Sequence, residues 1–181
     1  MPALLCHPAT PCTAIVAITA DVRWLASGQL GFCYVLEGEA AQVRMPAQAK
    51  VERADGLWRR TCCEAFVAGP VPGGYSEFNF SPSGAWAAYQ FTAYREGMKP
   101  VAVVADPVID VRVTARRIEL DAFIGSRSVP PGEDGLRVAL SVVVEEVSGV
   151  LSYWALAHPA ARPDFHHVDG FRLALAAPLS H

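Results

Sequence analysis

The residues whose types and spacing best suit ligand chemistry in this 181-residue chain lie in the segment 58–98. In an extended strand over 74–80, Tyr75, Glu77 and Asn79 share one face, because successive side chains point to opposite sides. A ring, a carboxylate and an amide in a row suit a sugar or another flat ligand, since rings stack on apolar patches while polar groups orient hydroxyls. Aromatic residues in strands usually serve packing, so a core or ordinary surface role stays open for them.

The next strand, over 85–91, is predicted to complete a β-hairpin across the turn Ser-Pro-Ser-Gly. Trp86 alternates there with Tyr89, and either ring could face a ligand or the core.

Glu64 interrupts the otherwise apolar run TCCEAFVA at 61–68. A buried carboxylate needs a partner, and Arg59, Arg60 and Arg95 are the candidates. A paired buried ion and a ligand contact are both open at this position. Arg59 or Arg95 would also anchor a ligand that carries a carboxylate or a phosphate.

Two adjacent histidines, His166 and His167, close the motif RPDFHH, in which Asp164 could orient one imidazole. Neighbouring residues of an extended chain point to opposite sides, and neither this pair nor Cys62-Cys63 has the spacing of a zinc site. A loop whose histidines cap backbone groups is the alternative. A metal-assisted hydrolase built on this motif and Glu64 also stays open, but the chain lacks the common nucleophile and phosphate-binding motifs. We therefore expect a protein that is not an enzyme.

Short apolar segments separated by Gly and Pro must position these residues, and helical periodicity is scarce. A hairpin turn at Ser148-Gly149 and one short helical turn near 93–98 are also expected. The pattern predicts an all-β fold: a single antiparallel β-sandwich domain over 1–181 with about ten or eleven strands, of immunoglobulin-like to jelly-roll-like type. The candidate strands are 13–22, 30–36, 42–45, 61–68, 74–80, 85–91, 108–114, 117–124, 136–147, 150–157 and 171–175.

The composition excludes several classes of function. Hydrophobic residues make up 52% of the chain and charged residues 18%, which indicates a packed body rather than disorder. A net charge of −3 without a basic stripe argues against nucleic acid as a partner. The odd number of cysteines, the absence of a signal-peptide pattern and apolar runs too short for a bilayer predict a cytoplasmic protein without membrane contact.

Three runs of the sequence resemble the bacterial DOMON-like proteins, relatives of DOMON domains and of the family nine carbohydrate-binding modules. The runs are LWRRTCCEAFVAG, YSEFNFSPSGAWAAYQFTAYREGM and SYWALAHPAARPDFHH. The resemblance implies a β-sandwich with a ligand cleft, which holds sugar in some relatives and haem in others.

The resemblance also implies roles for particular side chains. The carbohydrate-binding relatives stack a sugar between tryptophans, and Trp58, Trp86 and Trp154 could supply such rings here. The haem-binding relatives use Met with His or Lys as axial ligands, for which Met98 and His166 are the candidates.

The function predicted first is non-catalytic binding of a carbohydrate or a similar polar small molecule. A haem-binding electron-transfer domain and a protein–protein interaction domain are the alternatives. The sequence requires no cofactor, leaves haem and calcium open, and does not indicate an oligomeric state.

Overall fold

A computed structural model describes residues 1–47, 51–69, 73–101, 105–129 and 135–177. These residues form twelve β-strands and four single 3-10 turns, the latter at Ala40–Gln42, Leu57–Arg59, Ser126–Ser128 and Val168–Gly170. The strands are β1 (Ala3–Cys6), β2 (Ile15–Trp24), β3 (Gln29–Gly38), β4 (Cys62–Ala68), β5 (Tyr75–Phe80), β6 (Trp86–Phe91), β7 (Lys99–Pro100), β8 (Val108–Val113), β9 (Arg117–Gly125), β10 (Leu136–Glu145), β11 (Leu151–Ala155) and β12 (Leu173–Leu175).

The strands pair antiparallel in two layers that share β1. The first sheet has the order β1-β2-β3-β9-β8, and the second has the order β7-β6-β5-β4-β10-β11-β1, with β12 paired to β10. The first half of β1 pairs with β2 and its second half with β11. One strand thus joins the two sheets, and the described chain is an all-β, sandwich-like fold, as the sequence predicted.

The core lies between the two sheets and follows from the alternation of side chains along their strands. Phe32 of β3 contacts Phe78 and Phe80 of β5, with ring centroids 6.5 and 5.4 Å apart. The buried Tyr34 hydroxyl crosses the core and donates a 2.8 Å hydrogen bond to the backbone carbonyl of Glu64. This bond fixes the backbone of β4, in the second sheet, at Glu64.

Two of the predicted local elements are wrong. Residues 42–45 are not a strand, because the N–H of Val43 closes the 3-10 turn onto the Ala40 carbonyl and only one bridge, to Glu146, follows. Residues 93–98 do not form a helical turn; Glu96 donates to the Ala93 carbonyl in a β-turn at the edge of the second sheet.

The short strands β1 and β7 were missed, since four and two residues are too few to show alternation. Both hairpins, at 81–84 and at 148–149, are confirmed. In the described part of the chain no helix has the length and hydropathy needed to cross a bilayer.

Candidate functional site

The outer face of the second sheet carries two acidic side chains at neighbouring positions. On β4, Cys63, Ala65 and Val67 point into the core, so Glu64 points outward. Glu77 lies on the same outer face of β5, where the register pairs Glu64 with Asn79 and Phe66 with Glu77. The two carboxylates are therefore diagonal neighbours on adjacent strands.

Three connecting segments build walls around this pair and leave a first cleft of about 340 Å³. The 3-10 turn Leu57–Arg59 supplies one wall, the segment 91–98 a second, and the segment 163–166 a third. The lining side chains are Trp58, Glu64, Glu77, Phe91, Arg95, Met98, Val143, Tyr153, Pro163, Phe165 and His166. The cleft thus combines an acidic floor with predominantly aromatic walls.

Glu64 lies in the floor with only 2% of its surface exposed, and its Oε1 has no hydrogen-bond partner among the described residues. Burial raises the pKa of its carboxyl well above the usual range, and the negative charge of Glu77 raises it further. A buried acceptor without a donor costs free energy, so a ligand that donates to this oxygen would recover it.

Glu77 is also buried, but it has a neutral donor. Asn79 Nδ2 donates to Glu77 Oε1 at 2.7 Å, while Cys62 Sγ lies 3.7 Å from Asn79 Oδ1. Burial raises the pKa of Glu77, and the bond from Asn79 only partly opposes that shift. Asn79 is fully buried, so it holds the carboxylate rather than contacting a ligand itself.

His166 stands between the acidic floor and the aromatic wall. Its Nδ1 lies 2.7 Å from the Tyr75 hydroxyl, which accepts the Arg95 backbone N–H at 3.2 Å. Among the described residues, Nδ1 is the one acceptor within hydrogen-bond distance of the Tyr75 hydroxyl, so we assign the phenol proton to that bond; the imidazole proton is then on Nε2, 3.8 Å from Glu77 Oε2. Burial and the charge of Arg95 lower the pKa of His166 to about 4, so the ring is neutral at physiological pH.

Arg95 is held in a left-handed conformation, with φ of 55°, at the tip of the turn 93–96. Its guanidinium donates to Asp164 Oδ1 at 2.8 Å, and the Tyr94 hydroxyl donates to Oδ2 at 2.6 Å. Burial opposes ionisation of Asp164, but these two bonds outweigh it and lower its pKa below the usual value. Asp164 also accepts the backbone N–H of His166, so it orients the loop and not an imidazole ring.

Of the three tryptophans predicted to stack on a sugar, Trp58 alone lines the first cleft, where it meets Tyr89 edge-on at 5.8 Å. Trp86 and Trp154 are 3% and 5% exposed and belong to the core, so they cannot stack on a ligand. Arg59 is exposed and lines neither of the two clefts, although the preceding residue, Trp58, lines the first one.

Tyr75 and His167 line a second cleft of about 510 Å³, which His166 separates from the first. His167 Nδ1 accepts the Asp169 backbone N–H, so the two adjacent histidines do point to different places. The second cleft is larger and more apolar, but none of the described residues that line it is a carboxylate. We therefore place the candidate site in the first cleft.

Sequence reasoning missed several walls of the first cleft, among them Phe91, Tyr153 and Phe165. The alternation of Tyr153 with the inward Trp154 was a usable signal, because one ring must face outward if the other faces the core. Phe165 gave no such signal, since it lies in a loop with no strand periodicity.

The donor sets proposed for haem and for a metal do not fit this arrangement. Met98 and His166 both line the cleft, but a haem ring would have to lie over the buried carboxylates of Glu64 and Glu77, which suit an apolar macrocycle poorly. The described residues contain no group of three or more His, Cys, Asp or Glu side chains placed to hold a metal ion. Of the DFHH motif, Phe165 and His166 line the first cleft whereas Asp164 and His167 do not, so the structure does not bring all of the motif's titratable side chains together with Glu64, as the hydrolase alternative would require.

No protein-family profile and no curated protein sequence matches the chain. Among solved structures, a provisionally assigned carbohydrate-binding protein from Bacteroides uniformis superposes with a TM-score of 0.71 at 15% identity, over 97% of this chain and 84% of the other. At that identity the likeness shows a shared fold.

Two structures of a family nine carbohydrate-binding module from Caldicellulosiruptor kristjanssonii, with glucose and with cellotriose, give TM-scores of 0.47 and 0.45 at 10% and 9% identity. Each covers 84% of this chain, and 73% and 71% of the module respectively. Scores of this size do not establish a common fold, and the relation to DOMON domains stays a prediction.

Proposed function

We propose that the first cleft binds a carbohydrate or a similar polar small molecule and performs no reaction on it. The observation that carries the proposal is the acidic floor of Glu64 and Glu77 enclosed by aromatic walls. Sugars present both apolar faces, which stack on rings, and hydroxyl donors, which carboxylates accept. The cleft offers both kinds of contact within about 340 Å³.

The geometry gives each group a role in such a complex. Trp58 is the ring best placed to stack, because it is only partly buried and its edge contact with Tyr89 fixes its orientation. Glu64 Oε1 is an acceptor without a donor of its own among the described residues. The neutral His166 presents its Nε2 proton on the same side as Glu77.

The structural neighbour from Bacteroides uniformis, provisionally assigned to carbohydrate binding, agrees with this proposal.

Isothermal titration with a panel of neutral and amino monosaccharides tests the proposal. We expect saturable binding that Trp58→Ala weakens roughly fivefold to tenfold, because a stacked ring contributes on the order of 1 kcal/mol beyond burial. Arg59→Ala is the matched control, since Arg59 is next to Trp58 in the sequence but its side chain is exposed and lies outside the cleft. An unchanged affinity in a folded Trp58→Ala protein, or no sugar bound at all, contradicts the proposal.

A further inference from the structure

We infer that the ligand of the first cleft carries an ammonium group, which Glu64 and Glu77 recognise together. The inference rests on the proposed function and narrows its ligand class to an amino sugar with a free, protonated amine. It follows from the absence, among the described residues, of a lysine or arginine in contact with either buried carboxylate.

The two carboxylates of the floor have no lysine or arginine partner among the described residues. Among the described residues, neither Glu64 nor Glu77 forms an ion pair with a lysine or an arginine; the contact of Glu77 is with His166 at 3.8 Å. Arg95 also lines the cleft, but its guanidinium is bonded to Asp164. Two buried acidic groups therefore face one cleft without a cation in contact with either of them.

His166 does not supply the missing charge. Its Nδ1 accepts the Tyr75 proton, and the ring lies against Phe66 and Phe91 with centroids 5.0 and 5.1 Å away, a setting that opposes protonation. The other titratable or charged groups around the pair are Cys62, Tyr75, Tyr89, Arg95 and Asp164. Only Arg95 among them is a cation; its charge lowers the pKa of Glu64 and Glu77 from a distance, but its guanidinium is bonded to Asp164 and contacts neither of them.

Ligand groups of different charge would interact differently with Glu64 and Glu77. A neutral hydroxyl can donate to Glu64 Oε1, but it brings no positive charge to the two acidic groups. An ammonium group donates up to three hydrogen bonds, offsets the negative charge, and is attracted to the faces of aromatic rings such as Trp58. A ligand carboxylate or phosphate would be repelled by the acidic floor. Arg95, which the sequence suggested as an anchor for such an anion, is instead bonded to Asp164.

Isothermal titration with amino sugars and their neutral parents tests the inference: glucosamine against glucose, galactosamine against galactose, and mannosamine against mannose. N-acetylglucosamine controls for size without charge, and EDTA in every buffer removes divalent cations. We expect at least one amino sugar to bind about tenfold or more tightly than its parent, as charge-assisted hydrogen bonds allow, and N-acetylglucosamine to show no such gain.

The same titration on variants locates the effect. Glu64→Gln and Glu77→Gln should each reduce the preference for the amine toward unity. Glu145→Gln should keep it, because Glu145 is a buried glutamate of the same sheet that lies outside the cleft and is paired with Arg44 and Arg60. Binding of the amine should also release a proton, seen as a heat that changes with the ionisation enthalpy of the buffer.

The outcomes separate this inference from the proposed function. Neutral sugars that bind as tightly as their amines, with Trp58→Ala weakening both, would overturn the inference and leave sugar binding intact. A preference for the amine that survives Glu64→Gln and Glu77→Gln would also overturn it. A panel in which nothing binds would contradict the proposed function itself.

Discussion

Replacing Glu64 by glutamine should stabilise the folded protein at neutral pH, although the residue lies in the first cleft, the candidate site. Glu64 is 2% exposed, and its Oε1 has no partner among the described residues. A buried polar atom left unsatisfied costs about 1–3 kcal/mol. An unsatisfied charged group costs more than a neutral one, and the glutamine amide removes that extra cost because it cannot ionise, so we expect a gain of about 1–2 kcal/mol in the free energy of unfolding. For a chain of this length, that corresponds to a rise of roughly 2–8 °C in Tm.

The pH dependence of this gain separates a charge effect from a packing effect. The pKa of Glu64 is raised in the folded state, so the folded protein keeps a proton that the unfolded chain has already lost, and stability falls as pH rises from the unfolded pKa through the folded one. The benefit of Glu64→Gln should therefore be small below about pH 4.3, the ordinary glutamate value, and largest above the raised pKa. Thermal unfolding followed by circular dichroism at intervals from pH 4 to pH 8 measures it.

Glu119→Gln is the control with the opposite sign. Arg112 and Arg117 hold the pKa of Glu119 below its usual value, so this carboxylate stabilises the fold above its unfolded pKa and loses that effect as pH falls. Its replacement should lower Tm at neutral pH and have little effect in acid. A Glu64→Gln protein whose Tm falls at pH 8, or rises equally at pH 4 and pH 8, would refute the reasoning.

Three further predictions concern the scaffold and the imidazole. Tyr34→Phe should cost about 1 kcal/mol of stability by chemical denaturation, because it removes the hydrogen bond to the Glu64 carbonyl across the core; an unchanged midpoint would contradict that role. Gly38→Ala should destabilise far more strongly and lower Tm well beyond the Tyr34→Phe change, since Gly38 has a φ of 152° and an added Cβ would collide with the Ala14 carbonyl. The His166 ring should titrate by NMR with a midpoint near 4, so stability contributed by its neutral form is present above its unfolded pKa and lost as pH falls toward that midpoint; a midpoint near 6.5 would contradict the buried environment.

Much of the architecture could be predicted from local patterns, because alternation and turn chemistry are written in neighbouring residues. The outward face of β5, with Glu77 opposite the inward phenylalanines, is an example. The same logic could have placed Trp86 correctly. Five residues separate Phe80 from Trp86 across the hairpin, so the two pair directly and share the inward face. Treating Trp86 as a ligand contact overlooked that register.

The walls of the site could not be predicted in the same way, because they depend on contacts between segments distant in the chain. Arg95 and Asp164 are bonded although they are 69 positions apart in the sequence, and neither segment has a residue pattern that indicates which distant segment it contacts. The neutral state of His166 likewise follows from rings and charges that only the fold brings together. Loop positions are set by tertiary packing rather than by local propensity. The candidate residues in the loops could therefore be named from the sequence, but their contacts with one another could not.

The four indole N–H groups of the chain offer the most direct test of the claim that the first cleft is the ligand site. Nitrogen-15 NMR spectra would be recorded while the tightest-binding sugar of the panel is added. We expect the Trp58 signal to shift along a saturable curve with the calorimetric Kd. The signals of Trp24, Trp86 and Trp154 should stay in place, since these three lie outside the first cleft. A shift at Trp24 with Trp58 unmoved, or calorimetric binding with no shift at Trp58, would contradict that claim.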